Sequence, residues 1–203
     1  MPERARRVVL ASANPGKQRE FAALLDSCGI ELVLQTAIGI ASIAETGASF
    51  EANALLKARH AARISGLPAL ADDSGLEVDA LGGRPGIHSA RYAGESAGDQ
   101  DNNTRLLAEL DGVPQAARTA RYRCVLALVR SPDDPAPLLA SGTWLGSIAL
   151  VPAGEQGFGY DPLFIPAGMP GSAAELPADR KNRLSHRGQA LTSLLQQLER
   201  LRW

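Results

Sequence analysis

Short apolar runs alternate with amphipathic stretches along the first half of the chain, and this alternation predicts strands and helices in turn. Val8-Val9-Leu10-Ala11 reads as a first strand, and residues 12–16 as a loop. From Lys17, the residues Phe21, Leu24, Leu25 and Cys28 recur on one helical face, which Gly29 closes. Residues 31–35 form a second short strand. A second helix runs from about Ser49, whose hydroxyl suits an N-cap, through Ala54, Leu55, Ala58 and Ala62 to Gly66. Ala69-Leu70-Ala71 enters a core as a third strand, ending at Asp72-Asp73, with Ser74-Gly75 as a turn.

The second half is read in the same way. Residues 76–94 are predicted as loop with short extended pieces, and residues 101–110 as a helix closed by Asp111-Gly112. Residues 120–129 and 138–150 are long strands, joined through the exposed segment Pro132-Asp133-Asp134-Pro135-Ala136-Pro137. Leu145-Gly146-Ser147 offers a turn between strands, giving an antiparallel element on an otherwise α/β plan. A terminal helix starts around Ser185 and carries Leu191, Leu194, Leu195, Leu198 and Leu201 at helical spacing. No repeat or low-complexity tract interrupts the pattern.

At 203 residues the chain is long enough for one buried core, and we expect one domain with two lobes. The formal net charge of −1 leaves no general positive surface for a nucleic-acid backbone, so anion binding must fall to local clusters. The two cysteines, Cys28 and Cys124, fall in a helix pattern and a strand interior, which reads as two reduced core thiols and a cytoplasmic compartment. The basic start up to Arg7 is followed by too short an apolar segment for a secretory leader, and no run approaches a membrane span.

Asp72 and Asp73, at the end of an apolar strand, are either a solvated pair capping a turn or carboxylates facing a ligand crevice. The segment Ser12-Ala13-Asn14-Pro15-Gly16-Lys17 offers free backbone N–H groups and a lysine at a helix N-terminus, a site suited to phosphate. It is not a Walker A loop, because Ala11 stands where the first glycine belongs and Gln18 follows the lysine. Asn53 and Lys57, four residues apart, point from one helical face. Glu45 can join Asp73 as an oxygen ligand for Mg²⁺. In Gly157-Phe158-Gly159-Tyr160-Asp161, the aromatic rings serve either a flat ligand or core packing. Lys181, Ser185, His186 and Arg187 gather further cationic groups near the start of the last helix. Several separated cations opposite a carboxylate that can hold a metal argue for a nucleoside triphosphate ligand.

Six segments in order resemble those of the inosine triphosphate pyrophosphatases, also called dITP/XTP pyrophosphatases. They are Ser12-x-Asn14-x-x-Lys17-x-x-Glu20, Asn53-Ala54-x-x-Lys57-Ala58, Ala71-Asp72-Asp73-Ser74-Gly75-Leu76, Pro85-Gly86-x-x-Ser89-Ala90-Arg91-Tyr92, Phe158-Gly159-Tyr160-Asp161-Pro162 and Ser185-His186-Arg187. The resemblance implies an elongated α/β fold of two lobes around a central mixed β-sheet flanked by helices, and a homodimer. It also implies Mg²⁺-dependent hydrolysis of non-standard purine triphosphates such as ITP, dITP and XTP to monophosphate and pyrophosphate.

Carried onto this sequence, the resemblance makes Ser12, Ala13, Asn14, Pro15, Gly16 and Lys17 a phosphate cradle and puts Lys57 on the phosphates. Asp73 becomes the general base and, with Glu45, a metal ligand, while Ser74 contacts substrate. Phe158 stacks on the purine, and Gly159, Tyr160, Asp161, Lys181, His186 and Arg187 complete the pocket. One departure is Phe50-Glu51-Ala52-Asn53, where the family often has a glutamate directly before the asparagine. Competing readings are a pyrophosphatase of the related Maf type, a sensor that binds a triphosphate without cleaving it, and a nucleic-acid-binding module, which the near-neutral charge disfavours.

Overall fold

The computed structural model describes residues 6–25 and 29–201. Cys28, placed above on the first helix face, lies outside the described residues. In order, the elements are β1 (Arg6–Leu10), α1 (Pro15–Leu25), β2 (Ile30–Leu34), α2 (Phe50–Ser65), β3 (Ala69–Val78), α3 (Asp99–Glu109), β4 (Thr119–Val129), β5 (Leu138–Ile148), β6 (Phe164–Pro166), α4 (Ala178–Leu184) and α5 (His186–Leu201). The six strands hydrogen-bond in the order β2-β1-β3-β4-β5-β6. None of the described helices is long and apolar enough to cross a membrane.

Two compact units divide the chain. The first takes the residues up to Asp73, Val125–Ser141 and those from Ala190 on; the second takes Ser74–Cys124 and Gly142–Gln189.

In the first unit, β1 is buried at Val8, Val9 and Leu10. It pairs in parallel with β2 on one side, Val8 opposite Leu32, and with β3 on the other, Leu10 opposite Leu70. The chain therefore crosses the sheet in opposite directions through α1 and α2, and the right-handed rule for such crossovers puts the two helices on opposite faces. Such a reversal of strand order is where α/β sheets place ligands. β1 stops at Leu10 while β3 continues past it, delivering Asp72 and Asp73 beyond the end of its neighbour.

Local chemistry fixes α2 at both ends. Ser49 is extended, and its Oγ accepts the Ala52 N–H at 3.2 Å, as the sequence predicts for an N-cap. Gly66 takes the left-handed conformation at φ 66° and donates its N–H to Ala62 O. Ala54, Ala58, Ala61 and Ala62 are fully buried, and side chains this small let the helix backbone pack closely. On α5, Leu191, Leu194 and Leu198 are buried at helical spacing, whereas Leu201 is 59% exposed and drops out of the predicted face.

The second unit closes around Leu76, Val78, Leu106, Leu110, Tyr122, Trp144, Ile148, Tyr160, Leu163 and Phe164. Here the structure corrects two turns expected from the sequence. Ser74-Gly75 does not turn; β3 continues through it to Val78. Gly75 is required because a Cβ there would overlap Gly86 O and Ser89 Oγ, a close approach within a strand. Likewise Leu145-Gly146-Ser147 lies inside β5, with Gly146 packed on Ile165 O and the Phe164 ring of β6, its antiparallel neighbour. α3 begins at Asp99, two residues before the expected start, and the preceding Gly98 N–H donates to Asp101 Oδ2. α4 is an element that apolar periodicity does not predict: it has only seven residues, and its buried side chain is a lysine.

Candidate active site

In the first unit, the polar centre is Asp73, only 3% exposed. Its Oδ1 accepts from Lys57 Nζ at 3.1 Å and its Oδ2 from Asn53 Nδ2 at 3.1 Å, so two residues one turn apart on α2 hold both oxygens. Asn53 Oδ1 in turn accepts the Gly47 N–H at 2.7 Å, tying down the loop that carries Glu45. Glu45 Oε1 meets Lys57 Nζ at 2.6 Å. Burial raises the Asp73 carboxyl above its usual range; the nearby Lys57 ammonium opposes this and Glu45 adds to it. Burial works against the Lys57 charge too, but Asp72, Asp73 and Glu45 outweigh it and hold that ammonium above its ordinary value.

Asp72 is also buried, and its Oδ2 pairs with Lys17 Nζ at 2.7 Å. Successive strand residues face opposite sides of a sheet, so the adjacent carboxylates are served by different helices, Asp72 by α1 and Asp73 by α2. The solvated-turn alternative for this pair is thereby excluded.

The loop before α1 departs from expectation. Asn14 Oδ1 accepts the N–H groups of Gly16 at 2.8 Å and Lys17 at 3.1 Å, so these donors are engaged rather than free. Asn14 acts as an N-cap, Pro15 occupies the first helical position, and the helix starts two residues before Lys17. Ser12 is buried, with its Oγ accepting the Asn14 N–H at 3.3 Å, while Ala13, Asn14 and Pro15 are exposed.

Among the described residues, no three His, Cys, Asp or Glu side chains converge as a metal cluster. The oxygen donors in reach of one another are the carboxylates of Glu45 and Asp73, which already close on a single cation, Lys57 Nζ. Two carboxylates about one positive charge fit Mg²⁺, which takes one or two and leaves its other positions to water and phosphate.

The second unit assembles another polar group. Asp161 is buried; its Oδ2 accepts from Lys181 Nζ at 2.6 Å and from the Phe158 N–H at 2.9 Å, and its Oδ1 from the Tyr122 hydroxyl at 3.4 Å. The His186 ring stacks on Tyr122 with centroids 4.6 Å apart. Burial, with Asp161 beside it, pushes the Tyr122 phenol well above its ordinary range and keeps it neutral. Phe158 is half-buried, with Lys181 Nζ 5.1 Å and Arg187 Cζ 4.9 Å from its ring centroid. Arg187 Nη2 donates to Ser74 Oγ at 2.9 Å. Tyr160 takes the core alternative: it is 4% exposed, and its hydroxyl donates to Ser89 O at 2.8 Å.

Of the predicted residues, Lys17, Glu45, Lys57 and Asp73 thus lie in the first group, and Ser74, Phe158, Asp161, Lys181, His186 and Arg187 in the second. Sequence reasoning missed Tyr122, which looks like one more apolar strand position. It also left the contributions of Asp72 and Asn53 unstated, although their placement beside Asp73 and Lys57 was the available signal.

Comparison with known proteins places the chain among relatives. The chain is 59% identical over 196 residues to a dITP/XTP pyrophosphatase of Methylococcus capsulatus, spanning 97% of this chain and 98% of that protein. It is 54% identical over 192 residues to a dITP/XTP pyrophosphatase of Escherichia coli O157:H7, at 95% and 98% coverage. A solved HAM1 protein from Coxiella burnetii superposes with a TM-score of 0.88 at 46% identity, over 96% of this chain and 99% of that one. The Ham1 protein of Staphylococcus aureus gives a TM-score of 0.84 at 38% identity, over 97% and 100%. The model of the Ham1 family matches residues 8–197, and the chain belongs to that family.

Proposed function

We propose that this protein is a nucleoside triphosphate pyrophosphohydrolase that converts dITP, XTP and ITP to the monophosphate and pyrophosphate, clearing these nucleotides before they enter DNA or RNA. The observation that carries this reading is Asp73: a buried carboxylate, oriented through both oxygens by Asn53 and Lys57. A carboxylate held so firmly is a positioned base.

In the reaction, a water oxygen bonds to the α-phosphorus and the bond from that phosphorus to the bridging oxygen of pyrophosphate breaks. The leaving group takes the electron pair, and Asp73 takes the proton of the water. Lys57 and Lys17 bring positive charge to the phosphates, where it offsets the charge developing on the leaving group. Glu45 and Asp73 would hold Mg²⁺, which supplies further charge neutralisation and lowers the pKa of water. The second group receives the purine: Phe158 offers its ring for stacking, and Asp161, Lys181, His186 and Arg187 offer polar contacts for a 6-oxo base. A wrong pairing at such a base edge costs about 1–3 kcal/mol, enough to disfavour adenine. A homodimer and a cytoplasmic location belong to the same proposal, supported by the family resemblance and by the pattern of cysteines.

The test is pyrophosphate release from dITP, XTP and ITP beside ATP and GTP, with Mg²⁺, for wild type and Asp73→Asn. Turnover confined to the non-standard purines and lost in the variant supports the reading. Binding without turnover in wild type would replace it with a sensor, and a preference for modified pyrimidines would point to Maf-type chemistry.

A further inference from the structure

The loop that carries Phe158 is fastened on one side by its own Asp161, which accepts the Phe158 N–H at 2.9 Å. On the other side, α3 takes hold of the next residue. Asp99 Oδ2 accepts the Gly159 N–H at 2.7 Å, and Asn103 Nδ2 donates to Gly159 O at 2.9 Å. The two side chains are four residues apart and so project from one face of the helix, and together they satisfy both main-chain polar groups of a single residue. Gly159 sits in the left-handed region at φ 65°, a conformation that its neighbours must maintain. α3 is itself anchored through Asn102, whose Oδ1 accepts the Ala93 N–H at 2.8 Å and whose Nδ2 donates to Ala90 O at 3.2 Å.

We propose that Asp99 and Asn103 are positioning residues for base recognition: they clamp Gly159 so that the Phe158 ring is held ready for the purine before substrate arrives. The inference rests on the proposed role of Phe158 as the purine platform. The bonds of Asp99 and Asn103 go to Gly159, beside Phe158, so their effect falls on binding of the base and not on the chemical step. Pre-ordering of this kind lowers KM by removing the need to organise the loop on binding.

The experiment compares Asp99→Ala, Asp99→Asn, Asn103→Asp and Phe158→Ala, measuring KM and kcat for dITP and hydrogen exchange across residues 157–161. Asp99→Ala and Asn103→Asp are expected to raise KM about fivefold to tenfold, with kcat within about twofold, the effect of losing one oriented hydrogen bond. Asp99→Asn keeps an acceptor oxygen and should stay near wild type, which also guards against a folding defect as the cause. Adding Asp99→Ala to Phe158→Ala should raise KM no further, since the clamp acts through that ring. Exchange at the 157–161 segment should quicken in Asp99→Ala. A competent wild type with unchanged KM in Asp99→Ala and Asn103→Asp overturns the clamp alone, as does an equal KM increase in the Phe158→Ala background. A wild type that cleaves no triphosphate overturns the functional reading beneath it.

Discussion

Lys57 Nζ lies 3.1 Å from Asp73 Oδ1, and this contact ties the ionisation of the carboxyl to the charge of its neighbour. Burial raises the Asp73 carboxyl and Lys57 is the strongest influence lowering it. The base proposed at Asp73 works only when ionised, so activity should fall as pH drops through a value above the ordinary aspartate range, and rise toward alkaline pH. Lys57→Met removes the lowering influence and should move the acid limb of kcat to higher pH, besides reducing kcat by about 10²-fold through loss of charge on the phosphates. A pH–rate profile for both proteins checks this; an unshifted limb in Lys57→Met would detach Asp73 from it.

The pair of Asp161 and Lys181, at 2.6 Å, is enclosed on both sides, with side chains 4% and 6% exposed. Lys181→Met should destabilise the fold by about 3 kcal/mol, because a carboxylate is left buried without its counter-charge. Asp161→Asn should cost less, since an amide oxygen can still accept the Phe158 N–H. Urea denaturation at neutral pH ranks the two; the reverse order would show that the ion pair is not what holds this loop.

Gly75→Ala should destabilise by about 3 kcal/mol or more, although alanine is ordinarily harmless in a strand. The added methyl would overlap Gly86 O and Ser89 Oγ, and Ser89 Oγ is already the acceptor for the Leu76 N–H at 2.9 Å. Gly82→Ala, where space is open and only the φ of 65° resists, provides the comparison and should cost less. Thermal unfolding of both variants decides between overlap and backbone strain.

Asp134, between β4 and β5, accepts from Arg130 at 2.7 Å and from the N–H groups of Arg130 and Ala136. Hydrogen bonding from Arg130 depresses its carboxyl well below the usual range. A depressed carboxyl contributes stability above the unfolded value of 3.8 and loses it as pH falls through the native one. Asp134→Ala should therefore lower Tm at pH 7 by roughly 2–4 °C, with the gap narrowing once pH falls below the unfolded value. A gap independent of pH would mean the contact is held by its shape and not by its charge.

Periodicity made the first unit legible. The β1, α1, β2, α2 succession and the Ser49 and Gly66 caps follow from apolar spacing and end chemistry, which are local properties of the chain. The glycines misled because two physical demands share one residue type: Gly75 and Gly146 look like turns but serve close approach inside strands, and only the packed neighbours distinguish the two. The free N–H groups expected before α1 were absorbed by Asn14, a local bond that the sequence does permit one to foresee. α4 escaped because a seven-residue helix that buries a lysine has no apolar stripe to find. The contact of Lys57 with Asp73 and the stacking of Tyr122 on His186 join residues 16 and 64 positions apart, and only the fold reveals them.

Asp72 and Asp73 are chemically identical and adjacent, so what gives one to Lys17 of α1 and the other to Lys57 of α2 is parity along β3. That parity is set by the pairing of Leu70 with Leu10. A single-residue deletion between Ala69 and Asp72 would keep both aspartates and every lysine, yet exchange the faces they serve. Side-chain identity alone therefore under-describes this site: which lysine each carboxylate meets is written in the count of residues from a hydrogen-bonded register, and an alignment gap of one in this strand would be as damaging as loss of the proposed base itself.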